Sequence, residues 1–136
     1  MIKNFVLTDL GYFLPNEFSN PDRVLDQLTD PKFEVRSLWD DGMVAAILCF
    51  TNYWGRNWHG FFLIAEGFKP KLAAVIRNYI RSTMEEKDAL RLQTDSIACK
   101  VLDDWHEFMG FKWEGCREKM LFDRDYNMWA LMRGGN

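Results

Sequence analysis

The first half of the chain carries the two-residue hydrophobic period of β-strands. The segment FEVRSLW (33–39) alternates between its two faces, and the Asp41-Gly42 pair that follows it is typical of a hairpin turn. The next two segments, MVAAILCF (43–50) and HGFFLIA (59–65), are apolar at almost every position, so we expect both of their faces to be buried. The pattern therefore predicts a meander of three strands.

From Pro70 onward the hydrophobic period lengthens to that of a helix. It predicts one helix over about 70–87, whose inward stripe comprises Leu72, Val75, Ile76, Tyr79, Ile80 and Met84. A short strand, ALRLQT (89–94), follows it. A second helix is expected over 96–109, with Asp95 or Ser96 as its cap and Gly110 as its end.

The two ends of the chain carry weaker signals. Near the N-terminus the sequence predicts a short strand at about Asn4–Thr8 and a helix that begins at Pro21. Near the C-terminus it predicts strands at about Phe111–Phe122 and Met128–Arg133, separated by a turn at DRDYN (123–127).

The order of elements is therefore β, α, a three-strand meander, α, β, α, β, β. This order predicts a single domain over residues 1–136 of the α/β (α+β) class, a sheet with helices on its faces. The strands at 59–65 and 90–94 should be parallel neighbours, because a helix connects them.

Composition and charge narrow the classes of function. Apolar residues make up 48% of the 136 residues, enough for one core. The net charge of −3 argues against nucleic acid as a partner. No stretch approaches the ~18 apolar residues of a membrane span, and no signal peptide is evident, so we expect a cytoplasmic protein. The odd number of widely spaced cysteines predicts reduced thiols, and the Cys and His spacings predict no metal site.

The segment DSIACKVLDDWHEFMGFKWEGCREKMLFDRDYNMWALMR (95–133) resembles the C-terminal half of the GNAT superfamily, the general-control-related N-acetyltransferases. A helix that ends in an apolar-Gly-Phe stop, at Gly110-Phe111, precedes a strand of the FKxEG type and a last apolar strand. WDDGMVAAILCF (39–50) is similar to the early hairpin of that family. The resemblance implies a mixed, mostly antiparallel central sheet with helices on both faces and one parallel pair at the cofactor junction.

A narrower resemblance is to small GNAT-like proteins of short-tailed bacteriophages, some of them internal virion proteins. They share this length, a shortened N-terminal part and an eroded cofactor loop. This resemblance implies a protein of the host cytoplasm, or one packaged in a virion, that acts by binding a virion component or a host protein.

Members of the GNAT superfamily bind acetyl-coenzyme A (acetyl-CoA) where two central strands separate, with the pyrophosphate at the start of the next helix. The family's Gln/Arg-x-x-Gly-x-Gly/Ala motif falls on GFKPKL (67–72) and is not matched there. Pro70 has no N–H to donate, and the side chain of Leu72 is interpreted as an obstacle to the phosphates. The resemblance implies weak or lost cofactor binding by this segment, through Ala65, Gly67, Lys69, Lys71 and Leu72.

Two residues are candidates for acid–base chemistry. The family often has a Tyr four residues before the helix-stopping Gly, as the acid that protonates the departing thiolate, and this chain has His106 there. The family's base is often a carboxylate at the end of the strand before the junction, where Glu66 lies. The competing interpretations are a surface histidine on the helix flank and an exposed loop carboxylate. For Asp95 we expect helix capping.

The turn NYWGRNWHGFF (52–62) is rich in aromatic residues. Tyr53, Trp54, Trp58 and His59 are candidates for a surface that binds a substrate or a protein partner, or they pair across the hairpin as structural residues. Two hypotheses result. The first is a GNAT scaffold, weakly active or inactive, that acts through protein binding. The alternative is an active acetyl-CoA-dependent N-acyltransferase on a small amine or a protein amine.

Overall fold

The computed structural model describes residues 1–12, 21–65, 68–121 and 124–134. The strands are β1 (Ile2–Asn4), β2 (Phe33–Asp40), β3 (Met43–Trp54), β4 (Asn57–Ile64), β5 (Arg91–Ile97), β6 (Lys112–Leu121) and β7 (Arg124–Met132). The helices are α1 (Pro21–Thr29), α2 (Lys71–Glu86) and α3 (Lys100–Met109), and a 3₁₀-helix covers Leu7–Tyr12.

The strands form one mixed sheet in the order β1-β2-β3-β4-β5-β7-β6. The recorded strand pairs are antiparallel except β4–β5, which is parallel. This parallel ladder runs from Asn57–Arg91 to His59–Gln93. The predicted fold class and the predicted parallel pair are therefore confirmed.

The chain divides into two compact units, of which the first contains Met1–Asn52 and Gly60–Lys69. Its core consists of Leu28, Val35, Val44, Ile47, Cys49 and Leu63. The β2–β3 hairpin turns at Asp41 and Gly42, whose φ angles of 51° and 75° are both positive. Positive φ at both central positions is what a two-residue turn needs to match the twist of its strands, so the predicted turn is confirmed.

The second unit contains Tyr53–His59 and Pro70–Asn136. Its buried apolar residues include Ile76, Ile80, Met84, Leu92, Met109, Phe111, Trp129 and Leu131. Helix α3 ends at Gly110, which has a φ of 95° and follows the predicted left-handed stop. Within this unit, β7 lies between β5 and β6 and pairs with both.

Three predicted boundaries were wrong. The chain forms β1 and a 3₁₀-helix instead of a strand at Asn4–Thr8. Helix α3 begins at Lys100 rather than at residue 96, because β5 continues to Ile97 while it pairs with β7. Pairing with β6, which includes Leu121–Arg124, extends β7 back to Arg124, so most of the predicted DRDYN turn is strand. In both C-terminal cases, the sequence pattern predicted a cap or a turn. The backbone groups of these residues instead form hydrogen bonds to a neighbouring strand.

Candidate functional site

The candidate pyrophosphate-binding segment of the second unit is the first turn of α2. Pro70 precedes the helix with φ −54° and ψ −29°, and no side chain caps it. The N–H of Ala73 donates to the Pro70 carbonyl at 3.0 Å, so it is not available to a ligand. The N–H groups of Lys71 and Leu72 make no hydrogen bond to any residue that the structure describes. Two backbone donors and the exposed Lys71 side chain are therefore what this turn offers to an anion.

The side chain of Leu72 does not occupy the surface of that turn. The residue is 8% exposed and lies on the buried side of α2, together with Ala73, Ile76 and Ile80. The interpretation of Leu72 as a steric obstacle is therefore wrong. A residue at the second position of a helix can present its backbone outward while its side chain packs inward, and the hydrophobic stripe of α2 imposes that orientation.

In the first unit, the segment after β4 is held by hydrogen bonds. The Ala65 N–H donates to the Ala45 carbonyl at 3.0 Å, and the Phe68 N–H donates to the Ala65 carbonyl at 3.1 Å. The Nζ atom of Lys69 lies 3.1 Å from Asp40 Oδ2 and hydrogen-bonds Asp41 Oδ2 as well.

Lys69 is therefore engaged by the two carboxylates of the β2–β3 turn. The hydrogen bonds to Asp41 and then Asp40 raise the pKa of the Lys69 ammonium. The side chain remains 45% exposed, so the ion pairs are solvated and exchangeable. A phosphate group that approached Lys69 would have to compete with them. Glu66 and Gly67, the predicted base and a predicted cofactor-binding residue, lie outside the described residues.

His106, the predicted acid, is buried in the second unit with 4% exposure. Its ring is stacked on Trp129, with 5.2 Å between the centroids, and makes edge contacts with Trp105 and Phe111. Its Nδ1 atom lies 2.7 Å from the Leu102 carbonyl oxygen. The competing interpretation of His106 as a surface histidine on the helix flank is therefore wrong.

These contacts fix the protonation chemistry of His106. A carbonyl oxygen only accepts hydrogen bonds, so Nδ1 must carry the proton of a neutral ring and Nε2 then has none. Burial lowers the pKa of His106, and the Leu102 hydrogen bond and the charge of Asp103 oppose this only in part. A neutral ring of this tautomer has no proton at Nε2 for a departing thiolate. The geometry favours a structural role, and the acid role stays a prediction without support from these contacts.

The aromatic candidates of the second unit surround the turn at Gly55, whose φ is 59°. Tyr53 and Trp54 are 58% and 76% exposed. Tyr53 stacks on His59 with 5.1 Å between the ring centroids, and the ammonium of Lys87 lies 5.4 Å from the centroid of the Trp58 ring. The turn thus combines structural ring contacts with two exposed aromatic side chains.

Ion pairs fasten this aromatic turn to the loop after α2. Asp88 Oδ1 lies 3.1 Å from a guanidinium nitrogen of Arg56 and 2.7 Å from one of Arg133. The Leu90 N–H donates to the Arg56 carbonyl at 2.9 Å. The hydrogen bond from Arg133 and the charge of Arg56 lower the pKa of Asp88. The exposed rings of Tyr53 and Trp54 therefore lie on a turn that ion pairs and a backbone hydrogen bond hold in place.

Sequence reasoning missed a polar network around α3 and β7. The Trp113 indole donates to Asn127 Oδ1 at 3.0 Å, and the Asn127 amide donates to Asp103 Oδ1 at 2.9 Å. The Trp129 indole donates to Ser96 Oγ at 3.2 Å, so Ser96 is a buried strand residue and not a cap. No local sequence pattern marks these partners, because only strand pairing and the packing of α3 bring them together.

Asp95 and Tyr126 also lie elsewhere than the sequence suggested. Asp95 is an exposed residue inside β5, and no cap is formed by it. Tyr126 belongs to β7 and is 7% exposed, and its hydroxyl is buried with no hydrogen-bond partner among the described residues. A buried unpaired hydroxyl is costly, which makes it a functional candidate that only the fold reveals.

Within the described part of the chain, no cluster of His, Cys, Asp or Glu residues could hold a metal ion. None of the described helices is long and apolar enough to span a membrane. The three cysteines form no disulfide: Cys49 is buried, whereas Cys99 and Cys116 are exposed.

No family model matches the sequence, and no curated protein matches it. Solved structures match the chain in fold. The ribosomal-protein-S18-alanine N-acetyltransferase of Escherichia coli is 16% identical, with a TM-score of 0.76 over 100% of this chain and 97% of that one. The IAA acetyltransferase of Bacillus cereus is 10% identical, with a TM-score of 0.75 over 97% and 98% of the two chains.

An acetyltransferase of the GNAT family from Streptococcus pneumoniae gives a TM-score of 0.74 at 12% identity, over 98% of this chain and 99% of that one. Identities at this level establish the fold and leave the activity open. The seven-stranded sheet with its single parallel pair agrees with these structures over nearly their whole length. The protein described here therefore has the fold of the GNAT acetyltransferases.

Proposed function

We propose that this protein is an acetyl-CoA-dependent N-acetyltransferase with a weakened cofactor site. The observation that carries the proposal is the parallel β4–β5 ladder of the second unit, which runs from Asn57–Arg91 to His59–Gln93. In the GNAT resemblance acetyl-CoA binds at this parallel pair of strands. The helix that follows β4, α2, offers the N-terminal amides and positive charge that a pyrophosphate requires.

The reaction is the transfer of an acetyl group from a thioester to an amine. The neutral amine nitrogen attacks the carbonyl carbon, a C–N bond forms, the C–S bond breaks, and the coenzyme leaves as a thiolate that takes up a proton. A base must remove the ammonium proton of the acceptor, and Glu66 is proposed for this step from its place in the sequence. Positioning of the two reactants supplies much of the rate enhancement in such a reaction.

The cofactor affinity is expected to be low. Pro70 removes one backbone donor from the turn, and Asp40 and Asp41 already engage the ammonium of Lys69. The burial of Leu72 removes one objection to binding, so we favour weak binding over none. Charge supplies most of the remaining affinity, which should therefore fall as salt screens it.

Calorimetric titration with acetyl-CoA at low salt, repeated near physiological ionic strength, tests this proposal. We expect weak binding that weakens further with salt, together with release of free coenzyme A thiol when primary amines are added. The affinity of coenzyme A compared with that of dephospho-coenzyme A measures the contribution of the 3′-phosphate. Absence of binding at millimolar acetyl-CoA and low salt would contradict the proposed function.

A second candidate function rests on the exposed rings of Tyr53 and Trp54. In this function the aromatic turn docks on a protein, such as a virion component or a host factor in the host cytoplasm, as the resemblance to phage proteins implies. Exposed aromatic side chains on a tethered turn bury large areas at low entropic cost. A pull-down with wild type and with a Tyr53→Ser, Trp54→Ser variant tests it. Retention of the same partner by the variant would exclude this surface.

A further inference from the structure

The part of the sheet formed by β5, β7 and β6 has one face that α3 covers. Trp129 stacks on His106 of α3, and Asn127 hydrogen-bonds Asp103 of the same helix. Side chains of consecutive strand residues point to opposite faces. Tyr126 and Met128 therefore lie on the other face of β7, away from α3.

The strand register identifies the neighbours of Tyr126 and Met128 on that face. Tyr126 is paired with Ile97 of β5 and Arg117 of β6, and Met128 is paired with Asp95 of β5. Residues paired directly across a ladder share a face and lie within reach of each other. Asp95, Met128, Tyr126 and Arg117 therefore form one patch, which we call the acceptor patch.

The two charges of the acceptor patch are available to a ligand. Asp95 is exposed, and no cationic group of the described residues lies within 4 Å of its carboxylate. Arg117 is also exposed, and its Nε–H donates to the sulfur of Met128 at 3.0 Å. A thioether is a weak acceptor, so a carboxylate would displace it readily from the guanidinium.

Met128 forms the floor between these charges. Its Cε atom lies 3.1 Å from the position that a Cβ atom on Gly115 would occupy. The absence of a side chain at Gly115 therefore leaves room for the Met128 side chain beside Arg117. The flexible thioether can shift when a ligand enters.

Tyr126 supplies the observation that points to a ligand. The residue is 7% exposed, and its hydroxyl is buried without a hydrogen-bond partner among the described residues. In native folds such a group has a partner, which is a protein atom, a water molecule or a ligand. Its direct cross-strand neighbour is the movable side chain of Arg117. Since Arg117 and Tyr126 are paired across the ladder, a carboxylate bound by the Arg117 guanidinium would be the acceptor that the Tyr126 hydroxyl lacks among the described residues.

We propose that the acceptor patch binds a zwitterionic acceptor, an α-amino acid, with its ammonium at Asp95 and its carboxylate at Arg117 and Tyr126. This inference rests on the proposed function, since it names the amine that the acetyl group would reach. The opposite charges and the polar hydroxyl match the two ends of an amino acid, and Met128 contacts the carbon between them. A guanidinium binds a carboxylate through two parallel hydrogen bonds, which explains an arginine at position 117.

The first test measures binding without any reaction. The ε-methyl groups of the methionines are labelled with ¹³C, the Met128 signal is assigned with Met128→Leu, and the protein is titrated with L-alanine. Ethylamine and propionate, which each lack one charged end of alanine, are the matched ligands. We expect a saturable shift of the Met128 signal with alanine and a much weaker response to either fragment. An equal response to ethylamine, or none to alanine, would overturn the proposal.

The second test assigns the contacts. Arg117→Gln, Asp95→Asn and Tyr126→Phe should each weaken alanine binding about tenfold, as expected for the loss of one charge-assisted hydrogen bond. Lys100→Gln, which removes an exposed cation paired with Asp104 elsewhere in the same unit, should leave it unchanged. Alanine binding at the wild-type level by all three patch variants would overturn the assignment.

Activity then separates this inference from the proposed function. If acetyl-CoA does not bind while the alanine shifts persist, the proposed function fails and the patch stands as an amino-acid site. If acetyl-CoA binds and amines are acetylated with no preference for alanine over ethylamine, the transferase stands and the zwitterion proposal fails. In the expected outcome, Arg117→Gln raises KM for alanine and leaves KM for ethylamine unchanged.

Discussion

The Nζ atom of Lys69 lies 3.1 Å from a carboxylate oxygen of Asp40, and Asp41 of the same turn accepts a hydrogen bond from it. Lys69, which precedes Pro70 and the start of α2, is therefore already paired with two carboxylates. The sequence suggested that Lys69 binds the phosphates of a cofactor. A phosphate group would have to compete with the carboxylates of Asp40 and Asp41 for the Lys69 ammonium.

The double variant Asp40→Asn, Asp41→Asn should tighten acetyl-CoA binding several-fold, because it releases the Lys69 ammonium. Calorimetry checks this. The same pair of changes in a Lys69→Gln background is the control, since it retains the general loss of negative charge but has no ammonium to release. An equal gain in both backgrounds would mean that Lys69 does not take part.

Leu72→Ala should destabilise the protein by about 2–5 kcal/mol, because it removes buried side-chain atoms and leaves a cavity. Val75, which the pattern wrongly predicted to point inward, is 41% exposed, so Val75→Ala should cost less than about 1 kcal/mol. Urea unfolding of both variants measures the difference. Acetyl-CoA affinity of folded Leu72→Ala should match wild type, whereas a marked increase would restore the idea that this side chain obstructs the phosphates.

Stability should fall in acid through His106. Its pKa in the folded protein lies below the ordinary value of 6.5, so the unfolded chain binds the proton first as the pH falls. The free energy of unfolding should therefore decrease as the pH drops through 6.5 and should level off below the folded-state pKa. Denaturant titrations on both sides of this pH measure the decrease. His106→Phe should lessen this decrease, because phenylalanine takes up no proton in either state, and an undiminished decrease would contradict the role of His106.

The three thiols should differ in reactivity. Burial raises the pKa of Cys49 to about 12, so it has almost no thiolate at neutral pH and no access to a reagent. Cys99 and Cys116 are exposed and free. Intact mass after alkylation should show two additions to native protein and three after unfolding without reductant. A third addition to native protein would contradict the burial of Cys49, and fewer than three in denaturant would reveal a disulfide.

Much of the fold could be predicted from local pattern. The Asp41-Gly42 turn, the Gly110 stop and the helix after Pro70 each depend on conformations that few residues favour. The parallel β4–β5 pair followed from connectivity, because strands joined through one helix return in the same direction. These features need only a residue and its neighbours along the chain.

The candidate site was less predictable from sequence. The motif alignment placed Leu72 beside the phosphates, whereas its position in the apolar stripe of α2 placed it in the core. The structure buries it, because burial of an apolar side chain stabilises the fold. For His106 the sequence left a catalytic acid and a surface histidine open, and neither interpretation anticipated its burial. Stacking with Trp129 and the Leu102 hydrogen bond make that burial tolerable.

The sequence alone was enough to predict the order of strands and helices, the Asp41-Gly42 turn and the lack of a glycine-rich phosphate loop. The tertiary structure alone decided that Lys69 meets Asp40, that Ser96 receives the Trp129 indole, and that Asp95 shares a face with Tyr126. The physical reason is distance along the chain. Dihedral preferences act between neighbours, whereas the ladder of β5, β7 and β6 brings together side chains about thirty residues apart, and its register decides which of them share a face.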